Sequence, residues 1–274
     1  MLLKEKYKLL KDIIARKESA AVAFSGGVDS TFLLKVAKEV LDNKLLAITA
    51  TSSTYPKREL NEAIKYAKDI NVKHVIISSE ELEIEGFAMN PKNRCYYCKK
   101  ELYTKINDIA LENNINCVFD GSNLDDVGDY RPGMQAADEL GVVSPLKEAE
   151  LTKSDIRELS KMLGLPTWNK PSFACLSSRF PYGNKITLSK LNMVDRAEQL
   201  LLDMGLTQVR VRHHGEIARI EVDPSEREKF FNIDIMNNIG NELKKIGFTY
   251  VTLDLLGYRT GSMNETLLEE NKII

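Results

Sequence analysis

The hexapeptide Ser25-Gly26-Gly27-Val28-Asp29-Ser30 constrains this chain most, because of what flanks it. Residues 20–24 form an apolar run, and residues 31–41 carry apolar side chains at helical spacing. A strand, a tight loop and a helix are therefore expected in succession. Gly26 and Gly27 let the backbone approach a ligand closely and adopt positive φ. Amide groups at a helix start point outward, and the helix dipole favours an anion there. Ser25 and Ser30 add hydroxyl donors. Asp29 would repel a bare phosphate, which assigns it to a helix cap or to a Mg²⁺ held by phosphates. The spacing is neither G-x-x-x-x-G-K-[ST] nor G-x-G-x-x-G. A plain turn capped by Asp29 or Ser30 is the alternative reading.

The same alternation continues along the chain. Residues 44–50, 74–78 and 115–120 read as strands, and residues 58–70 and 94–113 as helices. Strands alternating with helices imply a parallel sheet covered on both faces. Cys117-Val118-Phe119 has the unbroken apolarity of such a strand. Residues 1–17 place Leu3, Tyr7, Leu10 and Ile14 at helical spacing but are charged throughout. They predict an amphipathic helix, neither a signal peptide nor a membrane span, in a cytoplasmic protein. Residues 152–163 are expected to be helical, opened by Thr152 or Ser154 and closed by Gly164. Pro166, Pro171, Pro181 and Gly183 then mark a long functional loop or linker. Beyond it the pattern changes to a helix at 188–204, a hairpin of 208–213 with 216–222 around His214-Gly215, a helix at 233–246 and a strand at 250–255. The expected architecture is α/β, a parallel sheet with helices on both faces over residues 1–183, followed by a smaller α+β domain with an antiparallel sheet over 184–274.

Lys plus Arg number 38 against 40 Asp plus Glu, a net charge of -2. A general nucleic-acid binder usually carries a basic excess, so no nucleic-acid partner is expected. The four cysteines are too few for a disulfide framework in an intracellular chain of 274 residues. Cys95 and Cys98 form C-x-x-C at a helix start, which suits part of a metal centre, a redox pair or two packed thiols. Cys175 lies in the irregular segment near Arg179, whose charge could lower the thiol pKa and make it a nucleophile or ligand. Cys117, inside an apolar strand, reads as a small hydrophobe.

Asn123, Asp125, Asp126 and Asp129 crowd the segment after strand 115–120, where open α/β sheets bind ligands. Turn chemistry accounts for them equally well. Arg210 and Arg212 share one strand face, with Arg219 and Glu221 on the same polar side, while Val209 and Val211 face the core. Two arginines on one face suit a phosphate, and a solvated sheet face is the alternative.

The string S-G-G-V-D-S after an apolar strand resembles the PP-loop of the ATP pyrophosphatases. Those enzymes cleave ATP between the α and β phosphates and transfer AMP to a substrate oxygen. Asn93-Arg94-Cys95-Tyr96-Tyr97-Cys98-Lys99, Asp120-Gly121-Ser122-Asn123, Gly128-Asp129-Tyr130-Arg131-Pro132-Gly133 and the segment around Cys175 resemble the LarE family more closely. The resemblance implies an ATP-dependent sulfur transferase acting on a pyridinium dicarboxylate mononucleotide for the nickel-pincer cofactor of lactate racemase. It implies ATP and phosphate contacts at the PP-loop, Gly121, Asp126, Arg179, Arg210 and Arg212. A divalent ion near Glu221, and less firmly Glu198, also follows from it. In one branch the cysteine matching Cys175 is a sacrificial sulfur donor. In the other, three thiolates matching Cys95, Cys98 and Cys175 hold a [4Fe-4S] cluster whose fourth iron binds hydrosulfide, so sulfide or another sulfur donor is a partner. Cys95 and Cys98 place the chain in the second branch, and the family implies a homo-oligomer. A tRNA thiolase, another PP-loop ligase and a nucleotide-binding regulator without chemistry are the competing readings.

Overall fold

The structure is a computed structural model and describes residues 1–126, 132–259 and 261–262. It divides into two compact units: Met1–Glu81 with Asn93–Ser172, and Leu82–Lys92 with Phe173–Ile274.

In the first unit the strands β1 (Ala20–Ala23), β2 (Leu45–Thr51), β3 (Lys73–Ser78) and β4 (Val118–Phe119) form a parallel sheet in the order β3-β2-β1-β4. Side chains alternate along a strand, so each strand feeds two cores. Ala20, Val22 and Ala47 pack with α1 (Leu3–Ala15), α2 (Val28–Leu41) and α3 (Lys57–Asp69). Ala21, Leu46 and Ile48 pack on the other side with α4 (Arg94–Glu112) and α5 (Pro132–Glu139). The doubly covered α/β architecture expected from the sequence is present. β4 is shorter than the expected 115–120, because its margins bond elsewhere. Asn116 N donates to Ser19 Oγ (3.2 Å), and Asp120 N donates to Val143 O (3.0 Å). Val143 in turn donates to Val118 O (2.9 Å) and continues the parallel pairing beyond β4. The helices α6 (Pro145–Glu148) and α7 (Lys153–Met162) follow. Thr152, not Ser154, caps α7 in a reciprocal box with Asp155.

In the second unit α8 (Leu188–Asp203) and α9 (Ile233–Ile246) share a core with β5 (Val209–His214), β6 (Ile217–Val222) and β7 (Tyr250–Leu253). The sheet order is β5-β6-β7. β5 and β6 are antiparallel around a turn at Gly215-Glu216, but β6 and β7 are parallel. The sheet is therefore mixed, not antiparallel throughout. α9 lies between β6 and β7 in sequence, and a helical crossover returns the chain in the same direction.

Residues 82–92 belong to this unit through Asn90, which is fully buried. Its Nδ2 donates to Phe180 O (3.2 Å) and Pro181 O (2.7 Å), and its carbonyl accepts from Gly183 N (2.9 Å). Residues 173–183, placed by sequence in the first domain, thus group with the second. Gly257 has φ +74°, and a Cβ there would lie 2.6 Å from the Val222 carbonyl oxygen. Gly257→Ala is expected to destabilise the second unit by about 2 kcal/mol or more, read as a lower urea midpoint with unchanged slope.

Candidate active site

β1 sits between β2 and β4, so the chain leaves the sheet on either side of a topological switch point, where open α/β sheets bind ligands. The loop after β1 turns at Gly26, with φ +66°. A Cβ on Gly26 would meet Ala63 of α3 at 3.1 Å, so only glycine fits both conformation and space. Gly27 is the N-cap of α2, which begins at Val28. Neither Asp29 nor Ser30 caps it, contrary to the simpler sequence reading. The first amides of α2 have no partner within the helix and form a ready anion site. Gly121, at the end of the segment after β4, closes on the same turn: a Cβ there would lie 3.2 Å from Ser30 N. Ser25 and Ser30 hydroxyls lie 3.1 Å apart, and Ser25 N donates to Ser30 Oγ (3.3 Å). Ser25, Gly26, Gly27, Val28, Asp29, Ser30 and Gly121 are thus brought together.

Two side chains hold the loop's carbonyls from outside. Tyr55 Oη donates to Ser25 O (2.8 Å), and Lys170 Nζ donates to Gly26 O (3.2 Å). Burial, with the charges of Glu59 and Glu62, pushes the Tyr55 phenol well above its ordinary pKa, so it remains a donor.

Asp29 forms an ion pair with Lys153, while its Oδ1 is buried with no hydrogen-bond partner among the described residues. Burial raises the Asp29 pKa, Lys153 opposes this, and the charge of Asp126 adds to the rise. Asp125 and Asp126 also serve as turn residues: Asp125 Oδ2 accepts Lys153 N (2.7 Å) and Asp126 Oδ2 accepts Asn123 N (2.9 Å). A half-satisfied carboxylate beside a second one is an all-oxygen donor set that suits Mg²⁺. Asp129, with Gly128, Tyr130 and Arg131 of the same motif, lies outside the described residues.

Cys95 and Cys98 occupy the first turn of α4, three residues apart and so on one face. Both thiols are half-buried, and Cys98 Sγ lies 3.8 Å from Glu81 Oε1. Gly133 packs against the same turn of α4: a Cβ there would lie 2.9 Å from Lys99 Cγ and 3.4 Å from the Cys95 carbonyl oxygen. Cys175, likewise half-buried, belongs to the second unit and precedes a 3₁₀ turn at Leu176–Arg179. Cys117 packs at the margin of the first core, and burial raises its thiol pKa. Among the described residues no three or more Cys, His, Asp or Glu side chains are grouped so as to hold a metal ion.

Arg179 does not stand as a free cation beside Cys175. Its Nε and Nη2 donate to the two oxygens of Glu198 (2.8 and 2.9 Å). Its Nη1 donates to Ala174 O (2.7 Å), Cys175 O (3.0 Å) and Ser178 Oγ (2.8 Å). The pair is almost wholly inaccessible to solvent. Glu198 Oε1 also accepts Val211 N (3.0 Å). Glu221, fully buried, pairs with Arg212 (2.7 Å) and Arg219 (2.9 Å). Both carboxylates associated with a divalent ion by resemblance are thus engaged by arginines. Arg210 and Arg212 are buried, so their face is not a solvated one, while Val209 and Val211 do face the core. Arg210 stacks over Tyr258 at 5.2 Å. Burial, together with the neighbouring Arg179 charge, pushes its pKa down to about 10. A buried guanidinium crowded by like charge is stabilised by an incoming anion, and Arg179, Arg210 and Arg212 outnumber Glu198 and Glu221 here.

The sequence reading missed Tyr55, Lys153 and Lys170. Each acts over more than twenty residues of separation, and no local pattern flags such a partner. Among the described residues no helix is long and apolar enough to cross a membrane.

Residues 2–111 match the family model described as NAD synthase. An uncharacterized protein of Synechocystis sp. is 43% identical over 97% of this chain and 99% of its own length. The pyridinium-3,5-bisthiocarboxylic acid mononucleotide synthase of Lactiplantibacillus plantarum is 39% identical over 94% of this chain and 92% of its own. An uncharacterized protein of Methanocaldococcus jannaschii is 30% identical over 94% of both chains. With that synthase aligned across nearly its whole length and a phosphate-binding turn at the switch point of its parallel sheet, the chain belongs to the LarE family of PP-loop enzymes.

Proposed function

We propose that this chain is an ATP-dependent sulfur transferase acting on pyridinium-3,5-biscarboxylic acid mononucleotide. The observation that carries the reading is its similarity to the Lactiplantibacillus plantarum synthase over 94% of the chain. The loop of residues 25–30 binds the ATP phosphates through its amides, and Asp29 with Asp126 holds Mg²⁺. A substrate carboxylate oxygen attacks the α phosphorus, the bond to the bridging oxygen breaks, and pyrophosphate leaves. Hydrosulfide then attacks the acyl carbon, the bond to AMP breaks, and a thiocarboxylate remains. Arg210 and Arg212 bind the phosphate of the substrate. A [4Fe-4S] cluster, which the family resemblance assigns to the thiolates of Cys95, Cys98 and Cys175, would supply that hydrosulfide.

Pyrophosphate release measured with the pyridinium mononucleotide and with tRNA tests the substrate. Release only with tRNA would replace this reading by a tRNA thiolase, and ATP binding without AMP formation would replace it by a regulator. Cys95→Ala and Cys98→Ala test the sulfur source. Each is expected to lower the iron content of anaerobically purified protein and to reduce thiocarboxylate formation by more than about a hundredfold, the scale for loss of a metal-site group. Unchanged sulfur transfer in both variants, with one sulfur lost from Cys175 by mass spectrometry, would make Cys175 a sacrificial donor.

A further inference from the structure

The loop that binds phosphates is gripped from behind by a lysine far away in sequence. Lys170 Nζ has three N–H donors and three acceptors: Gly26 O (3.2 Å), Glu59 Oε2 (2.8 Å) and Glu62 Oε2 (2.5 Å). The ammonium also lies 5.8 Å from the centre of the Tyr66 ring. Glu59, Glu62 and Tyr66 are all on α3, the helix whose Ala63 abuts Gly26. Lys170 itself is fixed by α7, since Arg157 donates to Trp168 O (2.7 Å) and Lys170 O (2.8 Å). The Lys170 side chain is 13% exposed, so water competes little for these bonds.

We propose that Lys170 is a positioning residue for nucleotide binding. It turns the Gly26 carbonyl away from the phosphates, so that the amides that follow face them. This rests on the reading that the loop binds ATP. A peptide group has two faces, and a glycine pair can flip it at little steric cost. With the Gly26 carbonyl turned inward, an oxygen would oppose the phosphates in place of an amide. Lys170 has a second, separable effect. It offsets Glu59 and Glu62, which would otherwise stand uncompensated behind an anion site. Burial disfavours the Lys170 charge, but the two carboxylates prevail and raise its pKa, so the brace is charged at neutral pH.

Isothermal titration of the full-length protein with ATP and Mg²⁺ tests this, alongside hydrogen exchange of the loop amides. Lys170→Met is expected to weaken ATP binding about tenfold or more and to speed exchange at residues 26–30, with exchange in α9 unchanged. Lys170→Arg, which keeps charge and donors, is expected to stay within about threefold of the parent. Adding Glu59→Gln and Glu62→Gln to Lys170→Met removes the uncompensated charge but not the loss of the carbonyl's partner. The triple variant is therefore expected to remain impaired, and full recovery of affinity would overturn the positioning role. Parental ATP affinity in Lys170→Met would overturn it too. Should Lys170→Met not fold, Lys170→Gln takes its place, with a neutral donor and the same expected direction. If the parent protein itself binds no ATP, it is the phosphate-loop reading that fails.

Discussion

Glu198→Ala is expected to cost the second unit about 3–5 kcal/mol, the usual cost of removing one partner of a buried ion pair. Arg179 would be left charged, inaccessible to solvent and without its carboxylate. Val211 N would lose its acceptor as well. Arg179→Met is expected to be similarly damaging, because the carbonyls of Ala174 and Cys175 lose their donor. The double variant should lose less than the sum of the singles, by about 2 kcal/mol for directly coupled groups. Equilibrium urea unfolding of all four proteins checks this, and additivity would show that the pair does not act as one. The pH dependence has a definite sign. Burial pushes the Glu198 pKa up, but Arg179, with Arg210 behind it, prevails and holds it below the ordinary carboxylate value. A carboxyl lowered on folding contributes stability above its unfolded pKa, and that contribution is lost as pH falls through the folded one. The parent should therefore lose stability below about pH 4.5 more steeply than Glu198→Ala.

Cys175→Ala is expected to leave pyrophosphate release within a few-fold of the parent while lowering thiocarboxylate formation by at least ~10³-fold, the scale of losing a reacting group. In the function proposed above, adenylation would draw on the loop at residues 25–30 and on Gly121, all in the first unit, whereas Cys175 belongs to the second. Separate assays of pyrophosphate and of thiocarboxylate mass resolve the two steps. Equal loss of both would show that Cys175 is needed before sulfur enters. Cys175→Ser serves as a near-isosteric control and should behave as alanine does, since a hydroxyl neither ligates iron as a thiolate does nor donates sulfur.

The first unit was legible because its signals are local. The apolar run at 20–24, the glycine pair and the helical spacing of 31–41 fall within one window, and the structure places β1, the turn and α2 there. The same holds for α9, whose observed span Ile233–Ile246 coincides with the expected one. Illegible features depended on partners distant in sequence. Arg210 and Arg212 alternate with valines, a pattern that fits a phosphate-binding face or a solvated one, and their burial against Glu221, Ser178 and Tyr258 is not visible in it. The parallel pairing of β7 depends on α9 as a crossover, which strand periodicity does not encode. Lys170 reaches Glu59 across 111 residues, and a lysine between Asn169 and Pro171 gives no sign of it.

The interleaving of residues 82–92 with 173–274 bears on how the protein is made. Synthesis proceeds from the N-terminus at ~5–20 residues per second. Asn90 precedes the Phe180 and Pro181 carbonyls by 90 and 91 residues, so it leaves the ribosome roughly 4.5 to 18 s before the groups it will bond. During that interval the core of the first unit can form around an eleven-residue excursion that has no partner yet. A separately expressed 173–274 fragment would miss the same excursion permanently, leaving Phe180 O and Pro181 O without the Asn90 donor. The packing of residues 82–92 in the second unit thus has to wait for chain made about 90 residues later.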